Sequence, residues 1–358
     1  MNLYNLTFQS FRFLLTPFAF LYGTAVRTRN WLYDRKILKS TSFNLPIICI
    51  GNLSVGGTGK SPMTEYLIRL LKDRYRVATL SRGYKRKTRG YLLASPRSTA
   101  LDIGDEPMLF HLKFPKVSVA VGEERLVAIP QLLQDRPDTQ VIIMDDAFQH
   151  RRILAGLNIV LTDYNNLYTR DFYLPTGDLR DSRSSARRAQ IIVVTKCPAG
   201  LSEASRAASL REIHPKNGQQ VFFASLEYGT PYHIIHNDPH VLEKDMEVLL
   251  VCGIANPKPL KSYLEVETAS FDVMPFNDHH IFTIDDLNAI RQRFTQIHAE
   301  RKIILTTEKD GVRLLKFHQE LGNLPLYVLP VRHHLLFGEG EVFNRAICNF
   351  ITQFQFHG

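Results

Sequence analysis

A chain of 358 residues, 44% hydrophobic and 22% charged with a formal net charge of +9, is long enough for two domains with cores of their own and has the composition of a soluble globular protein. Its four cysteines (Cys49, Cys197, Cys252, Cys348) are scattered, with no Cys-x-x-Cys pair. That excludes a disulfide framework or a zinc site and points to a reducing compartment.

The charge is uneven from the start. Residues 1–40 hold six Lys/Arg against the single Asp34. Within them Phe11, Leu14, Leu15, Phe18, Leu21, Tyr22 and Val26 recur at helical spacing, followed by Trp31 and Tyr33. The run contains Pro17 and is too short to span a bilayer, and no small-residue cleavage site follows, so a signal peptide is not expected. An apolar stripe flanked by aromatics and cations predicts a helix lying in a membrane interface; the competing expectation is a helix docked on the protein's own core.

Short apolar runs then alternate with helical stretches. Strands are predicted at Leu45–Ile50, Arg76–Ser81, Val117–Val121, Val141–Met144, Ile159–Thr162, Ile191–Thr195 and Val221–Ala224. Continuous Val/Ile/Leu runs are those of parallel strands buried on both faces, so the fold class is α/β, with helices on both sides of a mostly parallel sheet. The polar segment Tyr228–Asp245 marks a boundary. A second β/α run begins at Val248–Gly253 and continues through the helical Ile284–Ala299 and the strands Lys302–Thr306 and Pro325–Val331 to a closing helix, Gly338–Gln353.

Four segments carry chemistry. Ser54-Val55-Gly56-Gly57-Thr58-Gly59-Lys60-Ser61 sits between a predicted strand and the helical Met63–Leu71. Glycines let backbone N–H groups converge on phosphate oxygens at a helix N-terminus, Lys60 would reach the β- and γ-phosphates, and the Ser61 hydroxyl would face Mg²⁺. Ser54 departs from the strict motif, which has Gly there. Asp145-Asp146 ends an apolar strand, where a carboxylate would hold Mg²⁺ directly or through water. Gly104-Asp105-Glu106-Pro107 opens a helix; by itself it reads as an N-terminal cap, and beside a phosphate site it would aim a carboxylate at an attacking hydroxyl. Asn277-Asp278-His279-His280 begins a turn in the second run. Residues 82–97 add six Lys/Arg and no acid, which suits an anionic partner or a solvated basic face.

In order, Val55–Pro62, Ser81-Arg82-Gly83-Tyr84, Gly104–Pro107, Asp145-Asp146-Ala147-Phe148-Gln149-His150, Leu174–Arg180, Val194-Thr195-Lys196, Cys252–Pro257, Phe276–His279 and Thr307-Glu308-Lys309-Asp310 closely resemble the tetraacyldisaccharide 4′-kinase family, the lipid A kinases of Gram-negative bacteria. The resemblance runs from the N-terminal helix to about residue 313. It implies a P-loop NTPase-like α/β/α sandwich, a smaller α/β/α second domain and a two-stranded linker. The corresponding boundaries are a membrane-interface helix at 1–35, a core at 36–228 joined by 338–358, linker strands at 229–246 and 325–337, and the smaller domain at 247–324.

It further implies ATP- and Mg²⁺-dependent phosphorylation of the 4′-hydroxyl of an acylated glucosamine disaccharide 1-phosphate, with Asp105 and His279 catalytic and brought together by domain closure. Lys60 would act with them, nucleotide would bind at residues 54–61, Ser61, Asp145 and Asp146 would face the metal, and Tyr84, Arg125, His150 and Arg180 would face lipid substrate or phosphate. The implied partners are the lipid A disaccharide precursor and the cytoplasmic face of the inner membrane, with no nucleic acid and a monomeric assembly. Against the family pattern, Asp178 stands where Pro is common, Ala147 where Gly is usual, and Asp181 where Glu is usual. The rival class is a membrane-associated P-loop switch of the partitioning type, which carries a lysine before the two glycines where this chain has Val55. A nucleic-acid-binding protein would explain the basic patches, yet no recognition signature accompanies them.

Overall fold

The computed structural model describes residues 12, 14–254 and 256–355. Phe11 of the expected stripe, the other leading residues of the 1–35 segment, Ala255 of the Cys252–Pro257 motif and the end of the 338–358 segment lie outside them.

Helix α1 (Thr16–Asp34) leads into β1 (Ile47–Asn52), α2 (Lys60–Leu71), β2 (Val77–Ser81), β3 (Leu92–Leu93), α3 (Asp105–Lys113), β4 (Ser118–Val121), α4 (Arg125–Asp135) and β5 (Val141–Met144). Then come β6 (Leu157–Asp163), β7 (Ile191–Thr195), α5 (Glu203–Ile213), β8 (Gln220–Tyr228), β9 (Tyr232–His233), β10 (Glu247–Cys252), α6 (Lys258–Glu267) and β11 (Ser270–Pro275). The chain continues with α7 (Ile284–Thr295), β12 (Lys302–Thr307), α8 (Glu308–Leu314), β13 (Leu326–Leu329), β14 (Val331–Leu335) and α9 (Gly340–Thr352).

These strands make two sheets. The larger has nine strands in the order β14-β8-β7-β6-β1-β5-β2-β4-β3, parallel from β8 to β4 with an antiparallel strand at each edge. The smaller has five, β11-β10-β12-β13-β9, with only β9 antiparallel. In β1, Ile48 and Ile50 enter one core layer while Ile47 and Cys49 enter the other, the period-2 alternation of a strand covered on both faces. Met63, Leu67, Ile68 and Leu71 bring one face of α2 into the first layer, and Phe343, Ile347 and Ile351 bring α9 into the same layer.

The segment read as one strand, Pro325–Val331, is two. Pro330 has no N–H to give a ladder, and the chain changes sheets there: β13 pairs with β12 in the smaller sheet and β14 with β8 in the larger. The outward crossing runs alongside, with the Gly229 N–H donating to the Pro330 carbonyl (2.9 Å).

Helix α1 docks on the larger unit through small and polar residues. A Cβ on Gly23 would lie 2.7 Å from the Tyr173 ring, and Asn30 donates to Asp181 (2.7 Å) and Ser185 (3.1 Å). Its other face leaves Phe18, Leu21 and Trp31 at 50–64% exposure, and Leu14, just before the helix, is 72% exposed. The docked expectation therefore holds on one face, and the other face is apolar and exposed. Among the described residues no helix is long and apolar enough to cross a membrane.

Candidate active site

The phosphate loop is fastened from three strands. Asn52 at the end of β1 donates to Thr58 Oγ1 (2.9 Å), and Thr195 at the end of β7 donates to the Thr58 carbonyl (2.9 Å). His333 of β14 lies 2.9 Å from the Gly59 carbonyl. Gly56 and Gly59 have φ of +101° and +82°, a region glycine enters without steric cost. Nothing lies within 4 Å of a Cβ built on Gly56 or Gly57, which leaves room for an anion at the α2 N-terminus. Ser54 donates its hydroxyl to Asp171 (3.0 Å), tying the loop to the 171–178 segment. A cavity of about 90 Å³ adjoins Val55, Gly56, Gly57 and Thr58, with Asp163, Tyr168 and Lys196 on its far wall.

Carboxylates and cations crowd beside this loop. Ser61 donates to Glu106 (2.7 Å), and Lys309 pairs with the same carboxylate. Lys60 lies 3.8 Å from Asp146, which also pairs with Arg180; Arg180 in turn holds the Asn52 side chain. Asp145 is buried and accepts from Thr64 (3.2 Å). Burial, then the charges of Glu106 and Asp146, push the Asp145 carboxyl up to about 7. Burial acts the same way on Glu106, but Lys309, Ser61 and Lys60 outweigh it and hold that carboxyl below its ordinary range. Glu106, Asp145 and the Ser61 hydroxyl are hard-oxygen groups, the kind a divalent cation takes. Among the described residues no three His, Cys, Asp or Glu form a metal site by themselves.

Asp105 opens α3, and Gly104 before it sits at φ +93°, where a Cβ would press on the Tyr84 carbonyl at 3.1 Å. His279 follows β11 in the other sheet. The two meet: His279 Nδ1 lies 2.9 Å from Asp105 Oδ2. A carboxylate only accepts, so a hydrogen bond to Asp105 requires the proton on Nδ1, while Arg313 Nη2, a donor only, lies 3.1 Å from the same nitrogen. Arg313 of α8 donates to the same oxygen from Nε (3.0 Å) and Nη2 (2.6 Å), and to Asp310 (2.8 Å). Burial would raise the Asp105 carboxyl, but Arg313, then His279, hold it below the usual carboxylate range. The Tyr84 ring meets the His279 ring edge-on at 5.5 Å. No site role was read for Arg313, Glu106 or Lys309 from the sequence. The available signal was Arg313 lying one helical turn beyond Asp310, on the same face of a helix that follows a strand end.

Arg125, Arg82 and His150 lie within electrostatic reach of one another and of Asp146. Arg125 is 2% exposed, and among the described residues only its Nη1 finds a partner, the Glu123 carbonyl (3.0 Å), while Nε and Nη2 are buried without one. Burial pushes the Arg125 guanidinium down to about 10, and burial followed by Arg125, Arg82 and Arg29 pushes His150 down to about 4. Tyr84, 64% exposed, stands beside His279.

Residues 11–352 match the profile of the tetraacyldisaccharide-1-P 4′-kinase family. The chain belongs to that family. A tetraacyldisaccharide 4′-kinase of Bacteroides thetaiotaomicron is 43% identical over 354 residues, covering 95% of this chain and 93% of that one. One of Flavobacterium johnsoniae is 48% identical over 325 residues, 90% and 94% of the two chains. The crystal structure of LpxK from Aquifex aeolicus in complex with ATP superposes with a TM-score of 0.74 at 30% identity, covering 95% of this chain and 99% of that one. Within the 4′-kinase pattern, two departures have local partners here. Asp178 forms an ion pair with Arg12 (2.8 Å), and the short Asp181 still collects Asn30, Ser185 and Arg188.

Proposed function

We infer that this protein is an ATP-dependent kinase that transfers the γ-phosphoryl group to the 4′-hydroxyl of a tetraacyl-glucosamine disaccharide 1-phosphate. The observation that carries the reading is the 2.9 Å contact between Asp105 and His279, which come from opposite sheets. The residue after Asp105 is hydrogen-bonded to Ser61 of the phosphate loop, so a hydroxyl held by Asp105 would stand next to the terminal phosphate.

Asp105, kept ionised by Arg313 and His279, orients the acceptor hydroxyl and takes its proton as the new O–P bond forms. The bond from the γ-phosphorus to the bridging oxygen breaks, and its electrons leave with ADP. Lys60 and the loop stabilise charge on the transferring group. Ser61, Asp145 and Asp146, with Glu106 beside them, would hold Mg²⁺, which when bound would supply neutralisation of phosphate charge; Glu106 here pairs with Lys309, and Asp146 with Lys60 and Arg180. The buried donors of Arg125, with Arg82, suit the 1-phosphate of the acceptor.

The exposed apolar face of α1 and its neighbouring cations suit a peripheral position on the cytoplasmic face of the inner membrane, with the smaller sheet as a second domain and the protein a monomer. Transfer of labelled γ-phosphate from ATP to the lipid in detergent micelles tests the reading, with Lys60→Ala, Asp105→Ala and His279→Ala beside wild type. A bisphosphorylated lipid, lost or strongly reduced in all three, is expected. ATP hydrolysis with no lipid product would sink it.

A further inference from the structure

We propose that His333 is a positioning residue of the phosphate loop, donating from Nε2 to the Gly59 carbonyl. This rests on the kinase reading above for what the loop binds. Gly59 is the residue on which α2 begins, and its carbonyl already accepts the N–H of Met63 (3.1 Å). A carbonyl oxygen has two lone pairs and no proton to give, so the imidazole contact at 2.9 Å fills the second and requires Nε2–H. Burial of the ring pushes its pKa below the ordinary value against the backbone of Gly59 and Ser225, which favours the neutral form that has one donor.

The fit is mutual. A Cβ on Gly59 would lie 2.8 Å from His333 Nε2, so imidazole and glycine occupy one shared space. Of the three strands that fasten the loop, β1 and β7 lie inside the larger sheet. The third, β14, has just returned from the smaller sheet, with only Pro330 between its first residue and β13. His333 therefore joins the phosphate-binding backbone to the segment that carries the small sheet. His333 also lines a cavity of about 330 Å³ with Pro62, Tyr66, Arg69 and Asn344, which leaves space for other side chains nearby.

The test is equilibrium binding of ATP without lipid, with kinase kinetics on the same preparations, for wild type, His333→Leu and His333→Gln. Losing the donor leaves a loop carbonyl half-satisfied and the loop free to shift. We expect His333→Leu to weaken ATP binding about tenfold and to raise KM for ATP by a similar factor, with a smaller fall in kcat. His333→Gln, whose amide places a donor near the same point, is expected to recover binding to within about threefold of wild type.

Binding by His333→Leu within about twofold of wild type, or Gln as impaired as Leu, would overturn the assignment. Should the Leu variant fail to fold, ¹⁵N-imidazole spectra of the wild type decide. A slowly exchanging Nε2–H at His333 supports the assignment, and an Nδ1–H tautomer or a freely exchanging ring refutes it. A wild type that binds no ATP at all would instead refute the kinase reading.

Discussion

The two sheets contribute to the site in different ways. From the larger comes a continuous strand, loop and helix, residues 47–71, in which each chemical group is a short sequence distance from the next. From the smaller come His279, from the turn after β11, and Lys309 and Arg313, both from the short helix α8. The first kind of site is built by local backbone geometry. The second exists only where α8 lies against α3, so Asp105 meets Arg313 and His279, Glu106 meets Lys309, and Lys113 meets Glu308. Loss of either should abolish transfer, but only loss of the second should leave nucleotide binding intact.

That separation is the largest effect to look for. Asp105→Ala is expected to lower kcat by about 10³–10⁴-fold with ATP affinity within a few-fold of wild type, and His279→Ala by about 10²-fold. Lys60→Ala is expected to impair both. Single-turnover kinetics beside ATP titrations read the two quantities separately. An Asp105→Ala enzyme that has also lost ATP binding would break the comparison.

Next in size is the ion cluster that joins the units. Lys113 is shared between Glu65 (2.6 Å) and Glu308, with both carboxylates no more than 6% exposed. Lys113→Met leaves the buried Glu308 without its cation and Glu65 with Arg69 alone (2.8 Å), and is expected to cost about 3–5 kcal/mol in urea unfolding. Glu308 already has its carboxyl raised, by burial first and with Glu65 adding to it against Lys113. A raised carboxyl favours the folded state most where it is protonated, so the variant's deficit should shrink as pH falls toward the acid side. Adding Glu308→Gln to Lys113→Met should recover part of the loss, and a deficit that ignores pH would argue against buried charge as its cause.

The α/β class, the boundaries of most large-sheet strands and the phosphate loop were all legible because each depends on neighbours in sequence: apolar runs, glycine spacing, a lysine before a helix. The break at Pro330 was less so, since a proline between two apolar runs suits one irregular edge strand as well as two strands in different sheets. Arg313 was not legible. Its chemistry comes from a carboxylate 208 residues away, and an arginine on a helix face more often meets solvent. Arg125 was expected beside substrate, but its burial depends on how α4 closes over the Glu123 carbonyl, which spacing does not encode.

A smaller expected effect concerns the outward face of α1. Leu14, Phe18 and Leu21 all stand largely exposed, whereas Asn30 holds the opposite face to Asp181 and Ser185. Changing the three apolar residues to Ser should lower partitioning onto anionic lipid vesicles by about tenfold or more, because each removes apolar area available to the bilayer. Asn30→Ala should instead loosen the helix from the protein, which limited proteolysis would detect. Equal vesicle binding by the triple variant would leave the helix as a docked element only.

Arg313 gives the finest test of how the second sheet works on the first. In wild type the Asp105 carboxyl is held low against its own burial, by Arg313 before His279. Arg313→Met removes the larger of the two opposing effects, so the Asp105 carboxyl should rise. The acid limb of kcat/KM should then move to higher pH, since Asp105 must be ionised to receive the hydroxyl proton. Stability shifts in the same sense. A carboxyl depressed by folding stabilises the protein above its unfolded-state pKa and loses that contribution as pH falls through the folded value, so the variant should lose stability near neutrality and little at low pH. Arg313→Lys keeps the charge but not the two-point geometry, and should restore the limb more than the rate. A variant whose rate falls with the acid limb unmoved would mean that Arg313 only braces α8, through Asp310 and the Gly253 N–H to which Asp310 is bonded (2.9 Å).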